Sequence, residues 1–584
     1  REVVQVYFGA PCGKLGTPSK QLIAYAKTKE LKPNETETLE LSFNVSDMAS
    51  YDDSGVTGNE FCYVLEAGDY KIYCGTDVRN SERIFTYTTN KNIITRKFEQ
   101  VMPPEKAFER FTAIEDSCGD RVLTKTQAPL RKFDIDTRIG ERKIQEIPFS
   151  GDKGIKLVDV ADGKHTLDEF IAQMSDNDLA AIVCGEGMDS PKVTVGTGGA
   201  FGGVTDSLLN LGIPVCCVTD GPSGIRIGGN FKSTSLPNGY VFASSFDDEL
   251  AEQIFELEGI ELFAYNVDAL LGPGMNIHRH PLCGRNFEYF SEDPLLSGKM
   301  AAAQSRGIAK SGCTTTIKHF LCNNQEFGRS TCNAIVSERA LREIYLKGFE
   351  IAVKEGNATA IMTSYNPVNG YWSASNYDLT TTVLRKEWGY TGFVMTDWWA
   401  KCNDKGIEAT GENLKSMVRA HNDLYMVCAS AEGKQHNIFE GLKDGYITRG
   451  DLQYCAANLL RYILISPTFQ KYVDGGCKKP DFAGHNDNDY ATVFSAENIE
   501  SGKTYTLNFE LEKKCVFVFD IEVVSESLAQ YPVVLTLDGK HCISFSVNGN
   551  DAGRIVRHCK INSSNTVCLD FPKEVKINNF YIKQ

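Results

Sequence analysis

The 584-residue sequence predicts a multidomain chain in which a TIM-type (β/α)8 barrel lies between two β-sandwiches. Three observations carry that prediction. Residues 1–93 alternate in period two through "VVQVYFG", "TLELSFNV" and "FCYVLEAGDYKIYCG", with turn residues between the runs, as in an antiparallel sandwich. From 151 to 470 the rhythm changes to short apolar runs that end in polar residues, separated by helical segments. Residues 471–584 return to short alternating runs such as "YTLNFEL", "CVFVFDIEVV", "PVVLTLDG" and "NNFYIKQ".

Taken in order, the first 93 residues form a sandwich whose opening "REVVQVYFGAP" reads as a strand already under way, so more chain is expected ahead of it. Residues 94–150 are charged and carry Pro103, Pro104, Pro129 and Pro148; they predict a linker strapped along a surface. In 151–470 the runs "IPVCCVTD", "DALLGPGMNIH", "TTTIKHF", "ATAIMTSYN", "GFVMTDWW" and "NDLYMV" predict strands. A doubly wound sheet also alternates strands and helices, but polar residues at the C-terminal ends of several separate strands favour a barrel. Between them, "SERALREIYLKGFEIAVKE" predicts a helix with Ser337 as N-cap and an apolar face of Leu341, Ile344, Tyr345, Phe349 and Ala352. The Gly-rich "GTGGAFGG" at 196–203 lacks the lysine of a phosphate-binding loop and carries little nucleotide signal. The role of the last sandwich is open: packing on the barrel or glycan binding.

Composition narrows the partners. Sixty-one Lys and Arg against 76 Asp and Glu leave a net charge of −15, which disfavours nucleic acid and anionic membrane surfaces. No apolar run is long enough to span a bilayer. The 19 cysteines sit mostly in apolar runs, as Cys216 and Cys217 do, and predict buried thiols in a reducing, cytoplasmic setting. The N-x-S/T triplets at Asn34, Asn44, Asn357 and Asn562 do not outweigh that pattern. No metal or organic cofactor is implied.

The strand ends deliver the candidate site. "VTDGPSGIR" presents Asp220 and "GPGMNIHRHPLCGRNFEYFSEDP" presents Arg285. "IKHFLCNNQEFGRS" offers Lys318, His319 and Arg329; "IMTSYNPVNG" offers Met362 and Tyr365; "GFVMTDWWA" ends in Asp397 and Trp398. Each has a plainer reading. An Asp at a strand end often caps a helix, Arg285 could pin its loop to Glu288, Glu292 or Asp293, and Trp398 and Trp399 could be packing. Their joint occurrence favours a pocket for a polyhydroxylated ring, with charged groups clamping hydroxyls and tryptophan against the C–H face.

These blocks, with the helix at 337–355, resemble the barrel domain of glycoside hydrolase family 3 and fall in that family's order. The resemblance implies that Asp397 is the nucleophile of a retaining exo-β-glycosidase of the β-glucosidase type. It implies that Asp220, Arg285, Lys318, His319, Arg329 and Tyr365 hold the sugar, with Trp398 lining the pocket and Met362 beside it. Cationic neighbours such as Lys318 and Arg329 are expected to hold Asp397 ionised. Residues 1–93 resemble the family's fibronectin type III-like domain, placed here before the barrel. An α/β/α domain, which carries the acid/base Glu in glucosidase-like members, is absent, and "LCNNQEFG" lacks the His–Asp pair of the N-acetylglucosaminidase branch. The expected partners are therefore a β-glucoside or oligosaccharide and an N-terminal α/β/α piece of the same polypeptide, with homo-oligomerisation open. A β-xylosidase or another exo-β-glycosidase is the alternative within the family, and a noncatalytic carbohydrate-binding protein the alternative outside catalysis.

Overall fold

The structure is a computed structural model that describes residues 1–188, 190, 192–194, 196–228, 233–403, 408–473, 491–507, 515–524, 529–547, 552–559 and 564–584. Asn562 and the second half of the "YTLNFEL" run lie outside the described residues.

Eight short strands form one sheet at the centre: Cys184–Glu186, Gly199–Gly202, Val215–Asp220, Ala269–Leu271, Thr314–Phe320, Ala360–Thr363, Phe393–Met395 and Tyr425–Cys428. The first seven strands pair in chain order, and the eighth pairs in parallel with the first. The seam between the seventh and eighth is a single bridge, Met395 to Leu424, flanked by Thr396 N donating to Leu424 O at 2.9 Å. The sheet thus curls into a nearly closed, parallel-rich barrel. The fifth and seventh strands are buried along their whole length, as strands covered on both faces must be.

One strand departs from the regular βα repeat. Gly199–Gly202 runs antiparallel to both neighbours. No helix separates it from the first strand among the described residues, so the chain reverses direction instead of crossing over. The glycine-rich run is barrel wall. A Cβ on Gly203 would lie 2.0 Å from the Ile213 carbonyl oxygen, so glycine lets the exit of the second strand lie against the entry to the third.

The helix at 338–356 starts as expected, with the Ser337 hydroxyl accepting from Ala340 N. Its apolar face is corrected at one position. Leu341–Tyr345 is a π turn, closed by Leu346 N to Leu341 O at 2.7 Å, and the extra residue rotates the later turns of the helix. Ile344 is consequently 38% exposed and Leu346 is buried in its place, while Leu341, Phe349 and Ala352 are buried as predicted.

The N-terminal sandwich packs a four-stranded sheet against a three-stranded one around Val6, Phe8, Ile23, Met48, Leu65, Tyr70 and Ile72. "TLELSFNV" is not a strand. Leu41 and Phe43 still turn toward the core, but among the described residues no neighbouring strand pairs with their backbone. The sandwich also reaches past 93, because Ile93–Lys97 pairs with Cys62–Leu65. The expected linker carries a hairpin, Glu109–Glu115 with Arg121–Gln127, and a short helix, Ile135–Gly140. It is tied to the barrel where Asp378 accepts from Arg138 at 2.7 Å and from Met102 N at 3.0 Å.

The sandwich docks on the 338–356 helix through buried polar groups. Tyr51 donates to Glu338 at 2.8 Å, and Arg342 joins Glu338 at 2.9 Å and Glu387 at 2.8 Å. The C-terminal sandwich consists of two four-stranded sheets around Phe517, Phe519, Phe545 and Phe580. Gln530 donates to Val215 O at 2.9 Å, and Asn266 to Ser546 O at 2.7 Å. Val215 opens the third barrel strand and Asn266 precedes the fourth, so these contacts lie at the N-terminal end of the barrel, away from Asp220 and Asp397.

Candidate active site

Strand ends bring the candidate side chains together at one mouth. Asp220 closes the third strand, and its Oδ1 accepts from Lys318 Nζ, on the fifth, at 2.8 Å. Burial disfavours the Asp220 carboxylate, but Lys318, then Arg285 and Arg226, outweigh it and hold its pKa below the ordinary value.

His319 follows Lys318 and is buried. Arg285 Nη1 lies 2.9 Å from its Nε2. Because a guanidinium can only donate, Nε2 must accept, and the ring is neutral with its proton on Nδ1, 3.3 Å from the Tyr289 hydroxyl. Burial, with Arg285, Lys318 and Arg329 nearby, pushes the His319 pKa well below its ordinary value in the same direction. His319 Nε2 is 3.6 Å from Asp397 Oδ2, a contact of a neutral ring and not an ion pair. Arg285 also pairs with Glu288, so the loop-pinning reading and the site reading are both satisfied by one side chain.

Asp397 stands just beyond the seventh strand, Phe393–Met395, and is buried. Lys318 and Arg329 favour its ionised form, as expected, but they do not outweigh burial. Burial is the largest influence and pushes its pKa up to about 6 from 3.8, against the opposing pull of Lys318, Arg285, the Tyr365 hydroxyl and Arg329. Tyr365 donates to Trp398 O at 2.9 Å, and the Arg329 guanidinium lies 4.9 Å from the centre of the Tyr365 ring. Arg329 in turn binds Glu326 at 2.8 Å.

Trp398 is half-buried and its indole N–H donates to Gly198 O at 3.2 Å, so the glycine-rich wall orients the ring. Trp399 is 58% exposed. Met362 is buried in the main core in register with Met395. The other eight predicted residues form one linked set, through direct contacts and through the charges that act on Asp397.

Sequence reasoning did not single out Tyr289, Asn323 or Glu326. Tyr289 receives Asn323 Nδ2 at 3.0 Å beneath His319, and Asn323 also donates to Glu326 at 3.0 Å. The only local signal was density of polar and aromatic residues in "NFEYF" and "NNQEF".

With the fold and the mouth in view, the chain belongs to glycosyl hydrolase family 3. The family's N-terminal domain matches residues 152–461 and the fibronectin type III-like domain matches residues 2–78, ahead of it. A beta-glucosidase of Ruminococcus albus is 51% identical over 464 residues, covering 80% of this chain and 48% of that protein. Beta-glucosidase A of Butyrivibrio fibrisolvens is 37% identical over 473 residues, covering 78% and 54%. The crystal structure of a beta-glucosidase from Paenibacillus barengoltzii matches with a TM-score of 0.79 and 44% identity over 100% of this chain and 66% of that one. The chain therefore spans about half the length of the curated relatives it matches.

Proposed function

We propose that this chain is the barrel-bearing part of a retaining β-glucosidase that cleaves terminal non-reducing β-D-glucosyl residues from a β-glucoside or oligosaccharide. The observation that carries the reading is Asp397: a buried carboxylate at a barrel strand end, facing Lys318, Arg285, Arg329 and the Tyr365 hydroxyl. In this reading the barrel works as (β/α)8 enzymes do, with its chemistry at the C-terminal ends of the strands.

Asp397 attacks the anomeric carbon, the aglycone leaves with a proton from an acid, and a covalent glycosyl-Asp397 ester forms. Water then attacks that ester, the acid group now acting as base, and the configuration is retained. Asp220, held as a carboxylate by Lys318, accepts hydrogen bonds from sugar hydroxyls, while Arg285, Lys318 and Arg329 donate to them and neutral His319 donates or accepts. Trp398 offers its face to the C–H side.

The acid/base is proposed to come from outside these 584 residues, on an α/β/α piece of the same polypeptide. Supporting this, the described carboxylates linked to the Asp397 network are each committed to a cation: Asp220 to Lys318, Glu288 to Arg285, Glu326 to Arg329.

Rates on aryl β-glucosides test the reading, since a good leaving group needs little acid assistance. Asp397→Ala should lower turnover by on the order of 10⁴-fold; undiminished turnover would refute it. Faster cleavage of the matched aryl β-xyloside would replace glucoside by xyloside.

A further inference from the structure

Beneath the mouth, a chain of hydrogen bonds runs from Arg285 to Glu326 through three buried side chains, His319, Tyr289 and Asn323. Its two ends have fixed polarity, because a guanidinium only donates and a carboxylate only accepts. At one end, Arg285 Nη1 donates to His319 Nε2 at 2.9 Å. At the other, Glu326 Oε1 accepts from Asn323 Nδ2 at 3.0 Å, and the same nitrogen gives its second hydrogen to the Tyr289 hydroxyl oxygen at 3.0 Å. The flipped amide would set the Asn323 oxygen against the Glu326 carboxylate, so this orientation is forced.

Tyr289 therefore accepts from Asn323, and its oxygen also faces His319 Nδ1 at 3.3 Å. If the hydroxyl donated to Nδ1 instead, the neutral ring would carry its proton on Nε2, and that proton would meet the donating Arg285 guanidinium. The ring has little freedom to avoid the conflict. Asn276 accepts from His319 N and donates to His319 O, each at 2.9 Å. The Tyr289 ring stands edge-on to the imidazole with centres 6.3 Å apart. Tyr289 itself is packed against Gly274, where a Cβ would come within 2.9 Å of its ring.

We propose that Tyr289 is a positioning residue for the glycosidase reaction: it takes the Nδ1 proton of His319 and leaves the nitrogen nearest Asp397 without one. The proposal rests on the glycosidase reading above. His319 Nε2 lies 3.6 Å from Asp397 Oδ2. A proton there would be offered to the nucleophile, and a hydrogen bond to a carboxylate engages the lone pairs that attack the anomeric carbon and lowers their basicity. Fixed as an acceptor, His319 orients Arg285 and leaves Asp397 uncapped. Glu326 thus serves two sugar-facing residues, Arg329 directly at 2.8 Å and His319 through Asn323 and Tyr289.

The test is nitrogen NMR of the full, deuterated chain carrying isotope-labelled histidine at neutral pH, the His319 signal being the one lost in His319→Gln. The wild-type ring should show the pattern of the neutral tautomer protonated on Nδ1. Tyr289→Phe, which keeps the ring and removes the acceptor, should shift it toward the form protonated on Nε2. Asn323→Ala frees the Tyr289 hydroxyl to donate and should shift it the same way by less. On an aryl β-glucoside, Tyr289→Phe should lose about tenfold or more in kcat/KM, with the acid limb moved to lower pH because Asp397 gains a donor. A wild-type ring protonated on Nε2 or on both nitrogens would overturn the proposal. So would a tautomer that both variants leave unchanged, or a Tyr289→Phe acid limb that does not move. The ring is read without turnover, so a chain inactive on glucosides, which refutes the glycosidase reading, is told apart from a wrong tautomer.

Discussion

At the scale of the residue, Asp397 is governed by two opposed effects. Its neighbours are cations, yet burial wins and places its pKa at about 6. A nucleophile must be ionised, so in the proposed reaction kcat/KM should fall on the acid side through about pH 6. A limb near the ordinary carboxylate value of 3.8 would show that the site is wetter than its burial implies. The same shift bears on stability. A carboxyl whose folded pKa lies above its unfolded value favours folding fully below the unfolded pKa, and that contribution is lost as pH rises through the folded one. Between 3.8 and about 6 this amounts to about 3 kcal/mol at neutral pH, so Asp397→Asn should raise the neutral-pH Tm and barely change it near pH 3.5. The residue types and their convergence were legible in the sequence because Asp220, Lys318, His319 and Asp397 sit at or just beyond strand ends and Arg285 and Arg329 on the loops that follow. The sign of the Asp397 shift was not, because burial depends on the whole barrel closing around one atom.

At the scale of the element, the 338–356 helix serves both the barrel and the N-terminal sandwich. Arg342 is buried between Glu338 and Glu387, with the Tyr51 ring 4.7 Å from its guanidinium. Replacing such a charge without its partners leaves anions uncompensated, so Arg342→Met should destabilise by about 3–5 kcal/mol in a denaturant titration. Tyr51→Phe, which removes one hydrogen bond, should cost about 1 kcal/mol. The N-cap and most of the buried stripe were readable from Ser337 and the apolar spacing. Ile344 was not, because periodicity assumes 3.6 residues per turn and a π turn breaks the phase. The "TLELSFNV" run failed for a related reason: alternation reports which face is wet, while a strand also requires an edge to pair with.

At the scale of the whole molecule, the two sandwiches meet the barrel in different places. The N-terminal one grips the helix that comes after the fifth strand, whereas the C-terminal one touches the end opposite the mouth. Substitutions at the latter contact should therefore alter stability without touching substrate. Gln530→Ala, which removes the bond to Val215 O, should lower stability by about 1 kcal/mol and leave KM for an aryl glucoside unchanged. A raised KM would mean that this domain reaches the substrate. The order of sandwich, barrel and sandwich was visible in the change from period two to strand–helix alternation and back. The antiparallel second strand was hidden, since glycine-rich wall and glycine-rich loop look alike without the neighbours that crowd them.

The central claim is that Asp397 becomes covalently bonded to the sugar. Incubation with a 2-deoxy-2-fluoro β-glucoside carrying a dinitrophenyl leaving group, which departs without acid help, should trap that ester. Peptide mass spectrometry should then find one fluoroglucosyl group on the peptide bearing Asp397, and none in Asp397→Ala. A label on another carboxylate, or a chain that turns over the parent glucoside yet never acquires the label, would contradict the account.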